Sequence, residues 1–188
     1  MTFPNTMDGE ERKKEVVSMS KIAAIVTSGY EDSELTSPMK ALKDAGHEVE
    51  IIEDMAGNTI TGEHGDTQKV DLGIDDANFD DYDALLLPGG GSPDALRADD
   101  RFNDFVKRFL LANKPVFAIC HGPQFFIQTG LASELKLTAY TTIRYDLFYA
   151  GAEVHDEPVV VDEKHKLVTS RTPDDLDSFN SEIVKFVK

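Results

Sequence analysis

Three short runs of the chain are apolar at nearly every position: Lys21-Ile22-Ala23-Ala24-Ile25-Val26-Thr27, Asp83-Ala84-Leu85-Leu86-Leu87-Pro88 and Pro115-Val116-Phe117-Ala118-Ile119. Continuous apolar runs of this length predict strands buried on both faces, as in a parallel sheet covered by helices. Between them the pattern changes period. Leu35, Met39, Ala41, Leu42 and Ala45 recur at helical spacing before Gly46, and His47 to Ile52 alternates as a strand, so the first βαβ unit closes near residue 52. Asn58 to Gly62 and Lys69 to Ile74 predict a short antiparallel pair, with His64 solvated in the loop between them. Phe102, Phe105, Val106, Phe109 and Leu110 mark one face of an amphipathic helix over 101–112. A helix after Cys120 ends near Gly130, and Lys136 to Tyr140 predicts a strand. Residues 141–150 predict a loop and short helix, and 158–162 with 166–170 a hairpin. Thr172-Pro173-Asp174-Asp175 opens a last helix, with Thr172 as its N-cap, that turns Leu176, Phe179, Ile183, Val184 and Val187 inward. The expected architecture is α/β: a three-layer α/β/α sandwich around a mostly parallel central sheet.

Composition narrows the class without changing that picture. A chain of 188 residues, 40% hydrophobic and 29% charged, suits one globular domain. Residues 1–20, with Glu10-Glu11-Arg12-Lys13-Lys14-Glu15 at their centre, are expected to be a flexible extension, and 21–188 a single domain. No apolar run is long enough to span a bilayer, and no apolar signal core opens the chain, which together point to the cytoplasm. The net charge of −16 argues against nucleic acid and anionic membrane as partners. So acidic a surface fits either a salt-loving source or an ordinary acidic protein. One cysteine excludes an internal disulfide framework and a multi-cysteine zinc site, and no metal or cofactor is expected.

That one cysteine carries the chemistry. Cys120 stands where an apolar strand gives way to Gly122-Pro123-Gln124 and a helix-like run. A sharp strand-to-helix turn lifts a nucleophile above a sheet and sets backbone N–H groups beside it, and those N–H groups favour the reactive thiolate. His121 is the adjacent candidate base, although its position directly after Cys120 turns its side chain away from a simple pairing. Glu31 opens the first helix at the carboxyl end of the first strand; it is either a dipole-complementing charge or a proton partner for the sulfur. Gly89-Gly90-Gly91 follows the middle strand, and the N–H groups of Gly90 or Gly91 with that of His121 are candidate oxyanion donors. Ser92-Pro93-Asp94 reads as N-cap, N1 and N2 of a short helix. Neither GxGxxG nor GxxxxGK[ST] is present, which argues against a nucleotide site.

Taken together, several segments resemble the PfpI intracellular protease family of the ThiJ/PfpI superfamily, within the class I glutamine-amidotransferase-like group. Ala118-Ile119-Cys120-His121-Gly122-Pro123-Gln124 resembles its nucleophile elbow, Glu31-Asp32 its early acidic turn and Gly57 to Gly65 its hairpin. Leu87-Pro88-Gly89-Gly90 resembles its glycine loop, and Thr169 to Leu176 its C-terminal signature. The resemblance implies a flavodoxin-like sandwich, Cys120 held as thiolate near Glu31, and Tyr140 beside the site. It also implies dimers or hexamers in which an acid of a neighbouring subunit completes a triad with Cys120 and His121. Asp94 occupies that position, where close relatives carry Glu. The function implied is attack on reactive carbonyls, as in glyoxalases and deglycases acting on methylglyoxal or its adducts, or peptide hydrolysis. Substrates would be small carbonyl compounds, glycated proteins or peptides. The alternative is a redox-sensing stress protein or chaperone with an oxidisable thiolate and no turnover.

Overall fold

The computed structural model describes residues 18–187; most of the expected N-terminal extension therefore lies outside the described residues. The elements in chain order are β1 (Lys21–Ile25), α1 (Asp32–Asp44), β2 (Glu48–Glu53), β3 (Thr59–Thr61), β4 (Thr67–Lys69), β5 (Leu72–Gly73) and β6 (Ala84–Leu87). There follow α2 (Ser92–Leu96), α3 (Asp100–Leu111), β7 (Val116–Ile119), α4 (Phe125–Thr129), β8 (Lys136–Leu137), α5 (Thr141–Tyr149), β9 (Glu153–Val154), β10 (Val159–Asp162), β11 (Leu167–Ser170) and α6 (Leu176–Phe186). Seven strands form the central sheet in the order β10-β11-β7-β6-β1-β2-β5. All neighbours run parallel except β10, which returns antiparallel against β11 at one edge.

The alternation of side chains along β1 divides the core. Ile22, Ala24 and Val26 join Leu35, Met39 and Leu42 of α1 and Phe179 and Ile183 of α6 on one face. Ala23 and Ile25 join Phe102, Phe105, Val106 and Phe109 of α3, Phe126 of α4 and Ile143 and Leu147 of α5 on the other. Because both faces are covered, the central strands carry no polar alternation: β6 and β7 are buried at every position. The result is the α/β/α sandwich expected from the pattern. Among the described residues no helix is long and apolar enough to cross a membrane.

Three local expectations need correction. The second half of the expected antiparallel pair is divided: Thr67–Lys69 pairs with β3, while Leu72–Gly73 leaves the hairpin and adds to β2 as a parallel edge strand. The strand after α4 is only two residues long and pairs with β9 outside the main sheet. Its continuation ends at Thr138, whose N–H donates to Thr169 Oγ1 at 2.9 Å. Ser92 is the first residue of α2 rather than its N-cap; its hydroxyl is buried and accepts the Thr27 N–H at 2.9 Å, tying the glycine loop to the end of β1. Thr172 precedes the final helical segment as expected but makes no side-chain capping bond.

Neighbouring strands β7, β6 and β1 end at the same level, with Leu86 opposite both Phe117 and Ala24. Their carboxyl ends therefore deliver three adjacent loops to one place: the Cys120 turn, the Gly89–Gly91 loop and the start of α1. From β6 the chain passes to β7 on one side, whereas β1 passes to β2 on the other. This is the kind of switch point at which open α/β sheets bind ligands.

Candidate active site

Cys120 follows directly on β7 and takes a left-handed backbone, φ +62°, a region few non-glycine residues enter. The conformation is held from both sides. The Cys120 N–H donates to Ser170 O at 3.0 Å, and its carbonyl accepts the Tyr140 N–H at 2.9 Å. A strained residue fixed in this way at the end of a central strand is the geometry of a nucleophile elbow. The residue is buried, 7% exposed, and lines a cavity.

The acid beside the sulfur is not the one expected. Glu31 caps α1: its carboxylate accepts the Glu34 N–H at 3.1 Å and the Ser33 hydroxyl, and its other oxygen lies 3.9 Å from the exposed His64 ring. Glu34, one turn further along α1, is the carboxyl beside Cys120: a Cβ added to Gly89 would meet both Glu34 Oε2 and Cys120 Cβ. It is fully buried, and its Oε2 accepts the Gly89 N–H at 2.8 Å. Its Oε1 is buried with no hydrogen-bond partner among the described residues. The reason is helical geometry. Glu34, Pro38 and Leu42 lie four residues apart and share the buried face of α1 with Leu35 and Met39, whereas Glu31 sits before the first turn. That stripe was present in the sequence, with Glu34 as its first member.

Burial pushes the Glu34 carboxyl up to about 8, with the Glu31 charge adding to the shift. A carboxyl so placed is protonated at neutral pH. Burial, and then the charge that Glu34 carries when ionised, push the Cys120 thiol up; the N–H groups of Gly90 and His121 pull it the other way. Both causes disfavour the thiolate, against the expectation of a cysteine held as thiolate, and a proton on Glu34 removes only the second of them, so the two groups titrate as a pair.

Gly89 is required by closeness. A Cβ there would meet Cys120 Cβ at 2.8 Å and the His121 nitrogen at 2.9 Å, and would strike the Glu34 carboxyl. Of the two candidate oxyanion donors in this loop, Gly90 offers an N–H that favours the Cys120 thiolate. Gly91 instead spends its N–H on Gly29 O at 2.8 Å, so it lines the cavity without a free donor. Contrary to expectation, the His121 ring does reach the sulfur: Nδ1 lies 3.3 Å from Sγ. The ring stacks on Tyr140, with centroids 4.9 Å apart and planes 28° from parallel. Burial lowers the imidazole's affinity for a proton, and the charges of Glu63 and Asp94 oppose that.

The cavity has a volume of ≈ 570 Å³ and brings together Glu31, Glu34, Cys120, His121, Tyr140 and Asp94, with Gly90 and Gly91. Asp94 reaches it from α2 of the same chain and is exposed. Glu63 also lines it, a residue that sequence reasoning left in a loop. Among the described residues no group of three or more His, Cys, Asp or Glu side chains is arranged to hold a metal.

Known proteins place this arrangement. The DJ-1/PfpI family pattern matches residues 20–186. The chain is 52% identical over 168 residues to "Putative cysteine protease YraA" of Bacillus subtilis (strain 168), covering 89% of this chain and 98% of that one. It is 55% identical over 163 residues to "General stress protein 18" of the same organism, covering 86% and 94%. It is 51% identical over 168 residues to "Protein/nucleic acid deglycase 2" of Escherichia coli (strain K12), covering 89% and 97%. Among solved structures, a two-domain protein from Anabaena variabilis with DJ-1/ThiJ/PfpI-like and ferritin-like domains superimposes with a TM-score of 0.85 at 34% identity, over 88% of this chain and 47% of that one. On these matches, the chain belongs to the DJ-1/PfpI family.

Proposed function

We propose that the chain is a cysteine-dependent enzyme that attacks reactive carbonyls, of the glyoxalase or deglycase kind. The observation that carries this reading is the fully buried Glu34 carboxyl beside Cys120, the two packed together against Gly89, with the Gly90 and His121 N–H groups favouring the thiolate. The pair supplies a nucleophile and a proton shuttle in one contact, which is what a small aldehyde requires. On methylglyoxal, the Cys120 thiol passes its proton to His121 Nδ1, 3.3 Å from the sulfur, and adds to the aldehyde carbon while the carbonyl oxygen takes the proton from Glu34, giving a hemithioacetal. Glu34, now a carboxylate, removes the hydrogen from that carbon. Reprotonation at the neighbouring carbon leaves a thioester, and water releases lactate and restores the thiol. On an amine adduct the same addition precedes departure of the amine.

Peptide hydrolysis is the second reading, favoured by the 3.3 Å approach of His121 Nδ1 to the sulfur and by the likeness to "Putative cysteine protease YraA" of Bacillus subtilis. It requires His121 to act as the acid for a leaving amine, with Asp94, from this or a neighbouring subunit of a homo-oligomer, orienting it. The test is lactate formation from methylglyoxal by the purified chain and by Cys120→Ala, alongside hydrolysis of fluorogenic peptides. Lactate formation lost in the variant is expected; equal rates in both proteins would end the carbonyl reading. Stoichiometric sulfinate at Cys120 after mild peroxide, with no turnover of either substrate, would replace both by a redox sensor.

A further inference from the structure

Four carboxyl groups line the cavity, from Glu31, Glu34, Glu63 and Asp94, against one imidazole; no lysine or arginine lines it among the described residues. The four are not equivalent. Glu34 is buried and protonated at neutral pH, and Glu31 is engaged in capping α1. Glu63 and Asp94 are exposed and reach the cavity from different elements, and both act on His121.

Glu63 is firmly placed. Its N–H donates to Tyr30 O at 2.8 Å, and the Gly29 N–H donates to Thr61 O at 2.8 Å, which straps the β3–β4 turn to the start of α1. The Asp32 carboxylate accepts the N–H groups of His64 at 3.1 Å and Asp66 at 2.9 Å. The Tyr30 hydroxyl donates to Asp66 Oδ2 at 2.7 Å. A turn pinned on both sides of Glu63 fixes where its charge stands.

We infer that Glu63, with Asp94, is a specificity-determining residue that makes the cavity select cationic over anionic carbonyl compounds, so that the adducts it accepts are those carried on arginine or lysine side chains rather than on nucleic acid or anionic 2-oxo acids. This rests on the carbonyl reading above and adds the substrate's charge to it. Fixed like charges at a concave mouth concentrate cations and deplete anions, and the effect fades with salt over roughly 8 Å at physiological ionic strength. A nucleic-acid host would bring phosphates to that rim, and its binding normally relies on lysine and arginine.

The lone cysteine allows a test that needs no turnover. Cys120 is modified with cationic, neutral and anionic methanethiosulfonates of similar size, at low and high salt. The cationic reagent is expected to react about tenfold faster than the anionic one at low salt, a spread that shrinks with salt. Glu63→Gln should reduce the spread about threefold and Asp94→Asn should reduce it too. Asp80→Asn, an exposed acid just before β6 and so at the opposite end of the sheet from the cavity, changes the net charge equally and should leave it intact. Equal rates for all reagents, or a spread indifferent to Glu63→Gln, would overturn the inference. In a second arm, methylglyoxal adducts on an arginine peptide and on a guanine oligonucleotide are compared as substrates. Preference for the peptide, weakened by Glu63→Gln, supports the inference, and equal or better turnover of the oligonucleotide overturns it. A retained labelling spread with no turnover of any adduct would sink the enzyme reading alone.

Discussion

The floor and the rim of the cavity use the same side chains to opposite ends. At the floor, Glu34 and Cys120 are buried together; burial makes both ionisations harder, and the Glu34 charge opposes the thiolate further. At the rim, Glu31, Glu63 and Asp94 stand in or near solvent around one imidazole. Glu31 and Glu34 lie one turn apart on the same helix, yet one closes a helix end and the other holds a proton for chemistry. Burial, not residue type or distance along the chain, separates the two roles. The floor should therefore govern rate, and the rim should govern which substrate arrives.

The largest effect expected is on Glu34. Glu34→Gln keeps an acceptor for the Gly89 N–H but cannot exchange a proton, and turnover of methylglyoxal should fall about 10²- to 10⁴-fold. Steady-state kinetics checks this, and an unchanged rate would remove Glu34 from the mechanism.

The same variant sharpens the contrast through stability. An unfolded Glu34 titrates near its ordinary value of 4.5, whereas the folded one titrates at about 8. Between those values the native state holds a proton that the unfolded chain has released, so this group's contribution to stability falls as pH rises. The shift corresponds to a few kcal/mol at about 1.4 kcal/mol per unit. The melting temperature of Glu34→Gln relative to the parent should therefore climb from pH 5 to pH 8, and a constant difference would contradict the raised value.

Next in size is Gly89→Ala, which forces a methyl against Cys120, His121 and Glu34. A loss of about 1–3 kcal/mol in urea titration is expected, with loss of activity. The smallest effect is expected at the rim. Glu31→Gln weakens a helix cap, costing about 1 kcal/mol or less, and should leave turnover within about threefold. If it matched Glu34→Gln in lost activity, the distinction between floor and rim would collapse.

The framework of this molecule could be read from its residues because the central strands are apolar at nearly every position, which only a doubly covered parallel sheet explains. The same holds for α3, whose phenylalanines mark one face. Cys120 was legible from the apolar run that ends on it. What escaped were partners set by tertiary closeness. The Ser92 hydroxyl looks like a cap locally, but the Thr27 N–H, far back in the chain, claims it. Gly91 looks like a free donor until Gly29 O is placed opposite it. Glu34 was within reach of sequence reasoning, since it begins the buried stripe of α1. Attention to the acidic pair at the turn hid it, because an acid at the head of a helix usually serves the dipole.

The two hydrogen bonds that hold Cys120 in its left-handed backbone have a consequence for synthesis. One of them ends on the Ser170 carbonyl in β11, which leaves the ribosome after every other strand of the described residues. A nascent chain that has reached α5 already carries every candidate residue from Glu31 to Tyr140, but not the strand that closes the other edge of β7. Such a chain holds a cysteine without its elbow, so the reactive geometry at residue 120 awaits translation through residue 170.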